Sequence, residues 1–472
     1  MNRAGLFVLG LLLSASSAAL AQPAPAPAAP AGAPAGPTLD YDFFKARVLP
    51  ILITKRTGHA RCMECHNDVP RFTLPTVPEG AAIWGEADSR TIFNILKTKV
   101  IPGQPDRSRL LRHPLAQAAG GDSDHDGGKH WTSKSDPEWQ TLAAWVNGAT
   151  LANAPPMPPL HERVVQTNSA GDDVHIIDTQ TNKVVGRIVG IDANHGAAVS
   201  PDGARIYVSN EADSTLDVVD SRTLYIITKI KITGHPNNIG ISPDGRYVYV
   251  SVHSKAGAVD VVDTQSLSVI KTIPVKGAVH NTYVTPDGRY IVAASVAGDE
   301  FTVIDRTSLE TQWTATFDDG VRPMAFETNP DGSTKRAFFQ LTKFHGFVAV
   351  DFATHKEVAR IALPKIREGK KENFIGGIAS HGLAISANKR LVVTSRLNSA
   401  VYVYSLPDLA LLGEVDVGRQ PEWATAAADG KTVYVANAGS NDVSVVDVVN
   451  LKEVTRIPVG QVPKRNITAM LP

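Results

Sequence analysis

A strand-and-turn unit of about 42 residues recurs through the last two thirds of the chain. Two clear copies place the second strand of the unit at residues 248–251 and 433–436. In each copy β-branched residues alternate with a period of two, which predicts strands, and turns rich in Pro, Asp and Gly separate these strands. Four short strands in a unit of this length are typical of one β-propeller blade. The repeat therefore predicts a closed ring of blades.

Seven blades are predicted, because second strands begin near residues 164, 206, 247, 291, 337, 391 and 433. The first unit lacks an innermost strand of its own, and the C-terminal segment 466–471 has no second strand after it. Pairing the first unit with this segment closes the ring and removes the open sheet edge. Over about 163–472 the repeat resembles the YVTN family of bacterial β-propellers. This resemblance implies an all-β, seven-bladed fold and says little about function.

The start of the chain predicts export. Residues 1–21 combine a positive Arg3, a short apolar run and the small residues Ala19 and Ala21, as in a cleaved signal peptide. The apolar run is too short to span a bilayer. We therefore expect a periplasmic protein with no stable membrane anchor.

Two Pro-rich segments divide the rest of the chain. The Ala/Pro-rich stretch 22–37 cannot bury a core and is predicted to be an extended linker. A second Pro-rich stretch, 153–162, is predicted to be a short hinge. The first domain is then 38–152 and the propeller 163–472.

Both cysteines of the chain lie in Cys62-Met63-Glu64-Cys65-His66, the pattern of covalent c-type haem attachment. Two thiols at this spacing add to the haem vinyl groups, and the adjacent imidazole reaches the iron. A redox dithiol would leave His66 unexplained, and a zinc site would need a second Cys pair. The motif therefore predicts one covalent haem c, with iron held by His66.

Flanking segments support this interpretation of the first domain. Residues 43–52 and 136–146 each show an apolar helical face, the second with Pro at the helix start. With the motif they resemble the small α-helical c-type cytochromes. In that family the sixth iron ligand usually precedes the last helix, where no Met is present. The resemblance favours His125 as the sixth ligand, with His130 as second choice and His113 as a weaker candidate. Two His ligands would lower the reduction potential of the haem relative to His/Met ligation.

Histidines recur at one position of the propeller repeat. Counting seven residues back from the turn Asp, or from Asn388 in its place, gives this series: His195, Asn237, His280, Met324, His381 and Glu422. The last unit offers Lys464, and His235 and Arg322 lie two residues before their aligned positions. In a propeller these positions surround one mouth of the central channel. His253 and His345 fall elsewhere in their units and are assigned no function.

Three interpretations of this His rim stay open. Converging imidazoles suit a metal or a haem iron. Arg322 and Lys464 favour a small anionic ligand without a metal. The imidazoles could also simply cap strands by bonding to neighbouring blades.

The domain order resembles that of cytochrome cd1 nitrite reductases and their relatives. That resemblance implies that His195 corresponds to an iron-ligating His of the propeller and His381 to a distal-pocket His. Glu422 stands where a second distal His is expected, and seven blades are predicted instead of eight. Copper propellers resembling nitrous oxide reductase use more histidines than this rim contains.

Composition narrows the function classes. The chain has 47 basic and 47 acidic side chains, and a zero net charge argues against a nucleic-acid binder. The sequence predicts a haem electron-transfer protein with a periplasmic redox partner. Its rim would bind a metal, cofactor or small substrate, so that the protein acts as a redox enzyme or subunit. The alternatives are a non-enzymatic docking module and a d1-type haem-binding protein.

Overall fold

The computed structural model describes residues 36–53, 61–69, 72–76, 84–125, 127–151, 159–368 and 378–472. The predicted signal peptide, all but the end of the linker and most of the hinge lie outside these ranges. None of the described helices is long and apolar enough to cross a membrane.

The N-terminal region is built from short helices. Its helical elements, in chain order, are α1 (Tyr41–Phe43), a π-helical turn (Phe44–Val48), α2 (Leu49–Ile53), α3 (Cys62–Cys65), α4 (Glu86–Leu96), α5 (Arg109–Arg112) and α6 (Pro137–Val146), with 3-10 turns at Lys97–Lys99, Pro105–Arg107 and Gln117–Ala119. The predicted start of α6 is confirmed, because Asp136 accepts a hydrogen bond from the Glu138 N–H and Pro137 occupies the first turn. The rings of Phe44, Phe93 and Trp145 pack together in the core of this region.

Seven four-stranded sheets follow, which confirms the predicted number of blades. Listed from the innermost strand outward, the strands are as follows: blade 1, β28 (Pro463–Leu471), β1 (His161–Asn168), β2 (Asp173–Asp178), β3 (Lys183–Val189); blade 2, β4 (Asn194–Val199), β5 (Arg205–Asn210), β6 (Thr215–Asp220), β7 (Tyr225–Lys231); blade 3, β8 (Pro236–Ile241), β9 (Tyr247–Val252), β10 (Ala258–Asp263), β11 (Ser268–Pro274); blade 4, β12 (Val279–Val284), β13 (Tyr290–Ser295), β14 (Glu300–Asp305), β15 (Thr311–Thr316); blade 5, β16 (Val321–Thr328), β17 (Thr334–Leu341), β18 (Gly346–Asp351), β19 (Lys356–Ala362); blade 6, β20 (Leu383–Ile385), β21 (Arg390–Ser395), β22 (Ala400–Ser405), β23 (Leu411–Asp416); blade 7, β24 (Pro421–Ala426), β25 (Thr432–Asn437), β26 (Asp442–Asp447), β27 (Lys452–Pro458). The first strand begins at His161, two residues before the predicted start of the propeller.

The C-terminal strand closes the ring as predicted. β28 pairs antiparallel with β1, from His161 opposite Leu471 to Asn168 opposite Pro463. It also contacts the innermost strands of both neighbouring blades, β24 and β4. The last residues of the chain thus complete the sheet that its first propeller strand begins, and the inner edge of β1 is paired.

The innermost strands share an irregularity at their starts. In six blades the register of the innermost strand against its neighbour shifts within the first few residues. These β-bulges contain or adjoin His195, Asn237, His280, Arg322, Glu422 and Lys464. A bulge re-aims side chains that regular alternation would send elsewhere. The repeated bulge therefore presents these residues to the central channel.

The helical region contacts the outer part of blade 2. Helix α2 lies against β7, and Arg47 Nη1 is 3.0 Å from the Asp220 carboxylate. Both partners of this ion pair are largely buried. Asp220 ends β6, whereas β4 begins at the mouth that carries His195, so the contact lies near the opposite face of the propeller.

Candidate functional site

Three imidazoles from alternate blades converge at one mouth of the channel. The ring centres of His195 and His280 are 6.4 Å apart, and those of His280 and His381 are 5.5 Å apart. These residues belong to blades 2, 4 and 6, so their rings meet only because they project toward the axis. All three are buried. We call this cluster the histidine mouth.

Glycine makes this close approach possible. Gly382 follows His381 directly, and a Cβ at Gly382 would lie 2.8 Å from the Trp423 Cα of the next innermost strand. Such a contact is far inside van der Waals distance. The His-Gly pair therefore allows neighbouring innermost strands to pack tightly where the imidazole turns into the channel.

The ring nitrogens differ in how they are engaged. Neither nitrogen of His195 has a hydrogen-bond partner among the described residues, although Nδ1 lies 3.2 Å from Oε1 of Glu211. The Nδ1 atom of His280 lies 2.7 Å from the Asn281 side-chain oxygen, which favours the proton on Nδ1. The His381 Nδ1–H donates to the backbone oxygen of Glu422 at 3.1 Å. Nε2 of His280 and His381 is then the nitrogen that carries a lone pair.

The bond from His381 bears on the strand-capping interpretation. Strand capping requires a hydrogen bond from the imidazole to a backbone carbonyl of the adjacent blade, and His381 makes such a bond to Glu422. His195 and His280 make no such bond to a neighbouring blade among the described residues. Strand capping therefore accounts for one of the three imidazoles.

Burial keeps these imidazoles neutral. It lowers the pKa of His195, His280 and His381 well below the usual value, and the positive charges of Arg465, Lys464 and Arg322 lower the pKa values further. A neutral imidazole offers a lone pair to a metal or accepts a hydrogen bond.

Glu422 lies at the centre of a buried ion-pair cluster beside His381. Its Oε2 is 3.2 Å from both His381 Nδ1 and Lys464 Nζ, and its Oε1 is 2.9 Å from Arg396 Nε. Glu422 and His381 are each 1% exposed. A carboxylate held by two cations is fixed in position and in turn fixes the imidazole ring.

A second ring of residues reaches the same mouth and was not predicted. It comprises the residues that directly follow the second strands, among them Glu211, His253, Arg396 and Thr342. Because the second strand runs antiparallel to the innermost one, its end lies beside the start of that strand. The His253 ring centre is 5.8 Å from that of His280, so His253, which the sequence analysis assigned no function, lies beside the histidine mouth. Counting from the turn found only the first ring.

The remaining predicted rim residues occupy less central positions. His235 is exposed and precedes β8, with its ring centre 6.5 Å from that of His253. The Arg322 Nε–H donates to the Thr342 hydroxyl at 3.0 Å. Arg322 is the second residue of β16, and Met324, two residues further along, is buried. Blade 5 thus places Arg322 where blades 2 and 4 place histidine.

Arg465 is the most buried cation of the mouth, and sequence reasoning missed it. It lies in β28 of blade 1 and is 1% exposed. Its Nη2 reaches to 3.3 Å from His280 Nδ1, on an innermost strand three blades away. Its guanidinium lies 4.9 Å from the centre of the Trp423 ring. Burial lowers the pKa of Arg465 to about 10, which still leaves the guanidinium charged at neutral pH.

In the described ranges no group of three or more His, Cys, Asp or Glu side chains is arranged to hold a metal ion. The imidazoles of the histidine mouth therefore do not form a ready three-ligand metal centre. His345, outside the mouth, bonds through Nε2 to the Ser395 hydroxyl at 2.8 Å.

The predicted haem c ligands come together in the helical region. Cys62 and Cys65 lie at the two ends of α3 and are not joined in a disulfide, and His66 follows directly. The ring centres of His66 and His125 are 6.3 Å apart, with an angle of 27° between the ring planes. Two imidazoles that bind one ion from opposite sides, with nitrogen–metal bonds of about 2 Å, place their ring centres about 6 Å apart. The spacing thus fits one iron between His66 and His125.

Neighbouring groups fix the orientation of His125. Its Nδ1–H donates to the carbonyl oxygen of Gly128, which leaves Nε2 with the lone pair. His113 and His130 flank it, with ring centres 4.9 Å and 5.6 Å away. Burial, then the nearby His125, lowers the pKa of His66, whose Nδ1 has no hydrogen bond to a described residue.

Comparison with known proteins places two family matches in the propeller. The profile described as "Cytochrome D1 heme domain" matches residues 160–329, and that described as "Lactonase, 7-bladed beta-propeller" matches 264–461. Among curated proteins, none matches the chain significantly.

Solved structures with the same architecture include proteins of different activities. Hydrazine synthase of Kuenenia stuttgartiensis is 23% identical, with a TM-score of 0.52 over 64% of this chain and 99% of that one. The dihydro-haem d1 dehydrogenase NirN, solved in complex with DHE, is 18% identical, with a TM-score of 0.50 over 75% and 80%. The periplasmic gluconolactonase PpgL of Pseudomonas aeruginosa is 20% identical, with a TM-score of 0.55 over 66% and 100%. At these identities the likeness establishes the fold alone.

Proposed function

We propose that this chain is an exported haem protein whose histidine mouth binds a d1-type iron tetrapyrrole and whose N-terminal domain carries covalent haem c. The observation that carries the proposal is the convergence of three buried, neutral imidazoles from alternate blades. The D1 haem-domain match over 160–329 supports it, because that range includes His195 and His280.

The residues of the mouth fit such a group chemically. A histidine binds haem iron through a neutral imidazole, and neither nitrogen of His195 has a hydrogen-bond partner among the described residues. The carboxylates of a tetrapyrrole need cations, and Arg322 and Lys464 of the mouth would supply them. When bound, the tetrapyrrole would contribute a redox-active iron.

The chain's own residues would hold and orient the ligand. His195 would hold the iron, and His381 would present Nε2 to a ligand bound at the mouth. Glu422 keeps the proton of His381 on Nδ1, and Arg396 and Lys464 hold the Glu422 side chain in position. His381 would therefore accept a hydrogen bond or a proton at Nε2.

The N-terminal domain would exchange electrons with a periplasmic redox partner. Cys62 and Cys65 would hold haem c through thioether bonds, and His66 and His125 would be its axial ligands. The contact between Arg47 and Asp220 would keep this domain against blade 2. We expect no nucleic-acid partner, as the neutral composition indicates.

Hydrolysis of a small lactone is the second candidate function. The lactonase match over 264–461 favours it, because that range includes His280, His381 and Glu422 of the same mouth. In that case the neutral His381, oriented by Glu422, would act as a general base on water. Activity without any tetrapyrrole would separate this candidate from the first.

Titration with haemin, an iron tetrapyrrole, tests the proposed function. We expect the wild-type protein to develop the spectrum of imidazole-ligated iron. His195→Ala should weaken binding about tenfold or more, because it removes the iron ligand. His345→Ala is the matched control, since His345 is partly buried but outside the mouth. Equal binding by all three proteins would contradict the proposal.

A further inference from the structure

We propose that Arg465 is a carboxylate-binding residue at the floor of the histidine mouth. The proposal rests on the proposed function only in placing the ligand at this mouth. It specifies the chemical group that the ligand must carry: a carboxylate, either on a tetrapyrrole or on a small organic acid.

Arg465 carries a buried positive charge that lacks a direct ion pair among the described residues. Arg465 is 1% exposed, yet no carboxylate of the described residues lies within ion-pair distance of it. Its Nε and Nη1 atoms have no hydrogen-bond partner there. A fully buried guanidinium without a counter-ion is unfavourable, so proteins seldom retain one without a use for it.

The neighbours of Arg465 hold its side chain without neutralising it. The Trp423 ring lies 4.9 Å from the guanidinium carbon. Nη2 lies 3.3 Å from His280 Nδ1, which accepts no hydrogen bond from it while its own proton is donated to Asn281. The Arg465 N–H donates to the Thr167 hydroxyl at 3.2 Å, which anchors its backbone in the closing strand. These contacts orient the guanidinium across the channel and leave donor groups available.

Arg396 provides the internal comparison. It is also buried, but its Nε lies 2.9 Å from the Glu422 carboxylate, and Lys464 contacts the same carboxylate. The other buried guanidinium at the mouth is therefore already paired. Glu211 and Glu422 act on the Arg465 charge only from beyond ion-pair distance. An incoming anion would supply the direct partner, and a carboxylate accepts hydrogen bonds from guanidinium donors well.

Thermal stability without ligand is the first test. Arg465→Met removes the buried charge and keeps a long apolar side chain, so we expect a melting temperature equal to or above that of the wild type. Arg396→Met should lower the melting temperature, because it leaves Glu422 with one cation fewer. A clear fall for Arg465→Met would overturn the proposal, since Arg465 would then serve the fold.

Ligand binding distinguishes the two sources of the carboxylate. If a tetrapyrrole supplies it, the wild type should bind haemin about tenfold or more tighter than haemin dimethyl ester, and Arg465→Met should lose that preference. If a small acid supplies it, acetate or gluconate should raise the melting temperature of the wild type and leave that of Arg465→Met unchanged.

The same titrations keep this proposal separate from the proposed function. The carboxylate site would be overturned if haemin and its dimethyl ester bound equally well, Arg465→Met bound haemin as the wild type does, and acetate and gluconate left the melting temperature unchanged. That result would not contradict tetrapyrrole binding. Stabilisation by acetate or gluconate without any haemin binding would support the carboxylate site and contradict the proposed function.

Discussion

Deletion of residues 463–472 is expected to abolish cooperative folding of the propeller. The deletion removes β28, which pairs with β1 along its length and contacts β24 and β4. Its loss forfeits hydrogen bonds of about 1 kcal/mol each, removes Leu471 and uncovers the apolar core around Val165, against a typical net stability of about 5–15 kcal/mol. The edge of β1 that is left unpaired should also promote association.

Thermal unfolding followed by far-ultraviolet circular dichroism measures this effect. Met470→Ala is the control, because this β28 side chain is 47% exposed and its loss should leave the melting temperature nearly unchanged. A truncated chain that unfolds cooperatively near the wild-type temperature would show that ring closure does not stabilise the fold.

Loss of both thiols is expected to abolish covalent haem attachment. The variant Cys62→Ser/Cys65→Ser removes the only two thiols of the chain, so any remaining haem would be extractable. The propeller should fold as before, since both cysteines lie in the helical region. Acid–acetone extraction of protein matured in a haem-attaching host gives the measurement.

Single histidine variants then test the axial ligands of haem c. His125→Ala should keep the haem attached and convert the iron to a high-spin form, because the second imidazole is lost. His130→Ala, whose ring centre lies 5.6 Å from that of His125, is the matched control and should leave the spectrum unchanged. A high-spin spectrum from His130→Ala alone would reverse the assignment.

The repeat predicted the ring of blades because each blade carries its own strands and turn. The closing strand was predictable for the same reason: the first unit lacks one strand and the last has one too many. Equal offsets from the turn also placed His195, His280 and His381 at one level. The distances between their rings depend on the β-bulges at the starts of the innermost strands and on the small size of Gly382. The alternation of β-branched residues predicts neither feature.

The parts of the site that were missed have physical reasons. Arg465 lies on β28, which has no following turn from which to count. His253 and Glu211 come from second strands, whose ends lie beside the mouth only because the strands are antiparallel. Arg322 reaches the mouth because β16 is two residues longer than β4 or β12 and begins with a bulge. The net charge of the whole chain is zero, so composition does not predict the local cluster of cations at the mouth.

The most direct test of the account is the number and type of haem groups per chain. Protein should be matured in a host that attaches haem c and makes d1-type haem, then extracted with acid–acetone. We predict one haem that stays with the polypeptide and one tetrapyrrole that is released into the solvent, each near one per chain. Released tetrapyrrole should fall sharply in His195→Ala. A colourless polypeptide with two titratable thiols, or an extract without tetrapyrrole, would contradict the account.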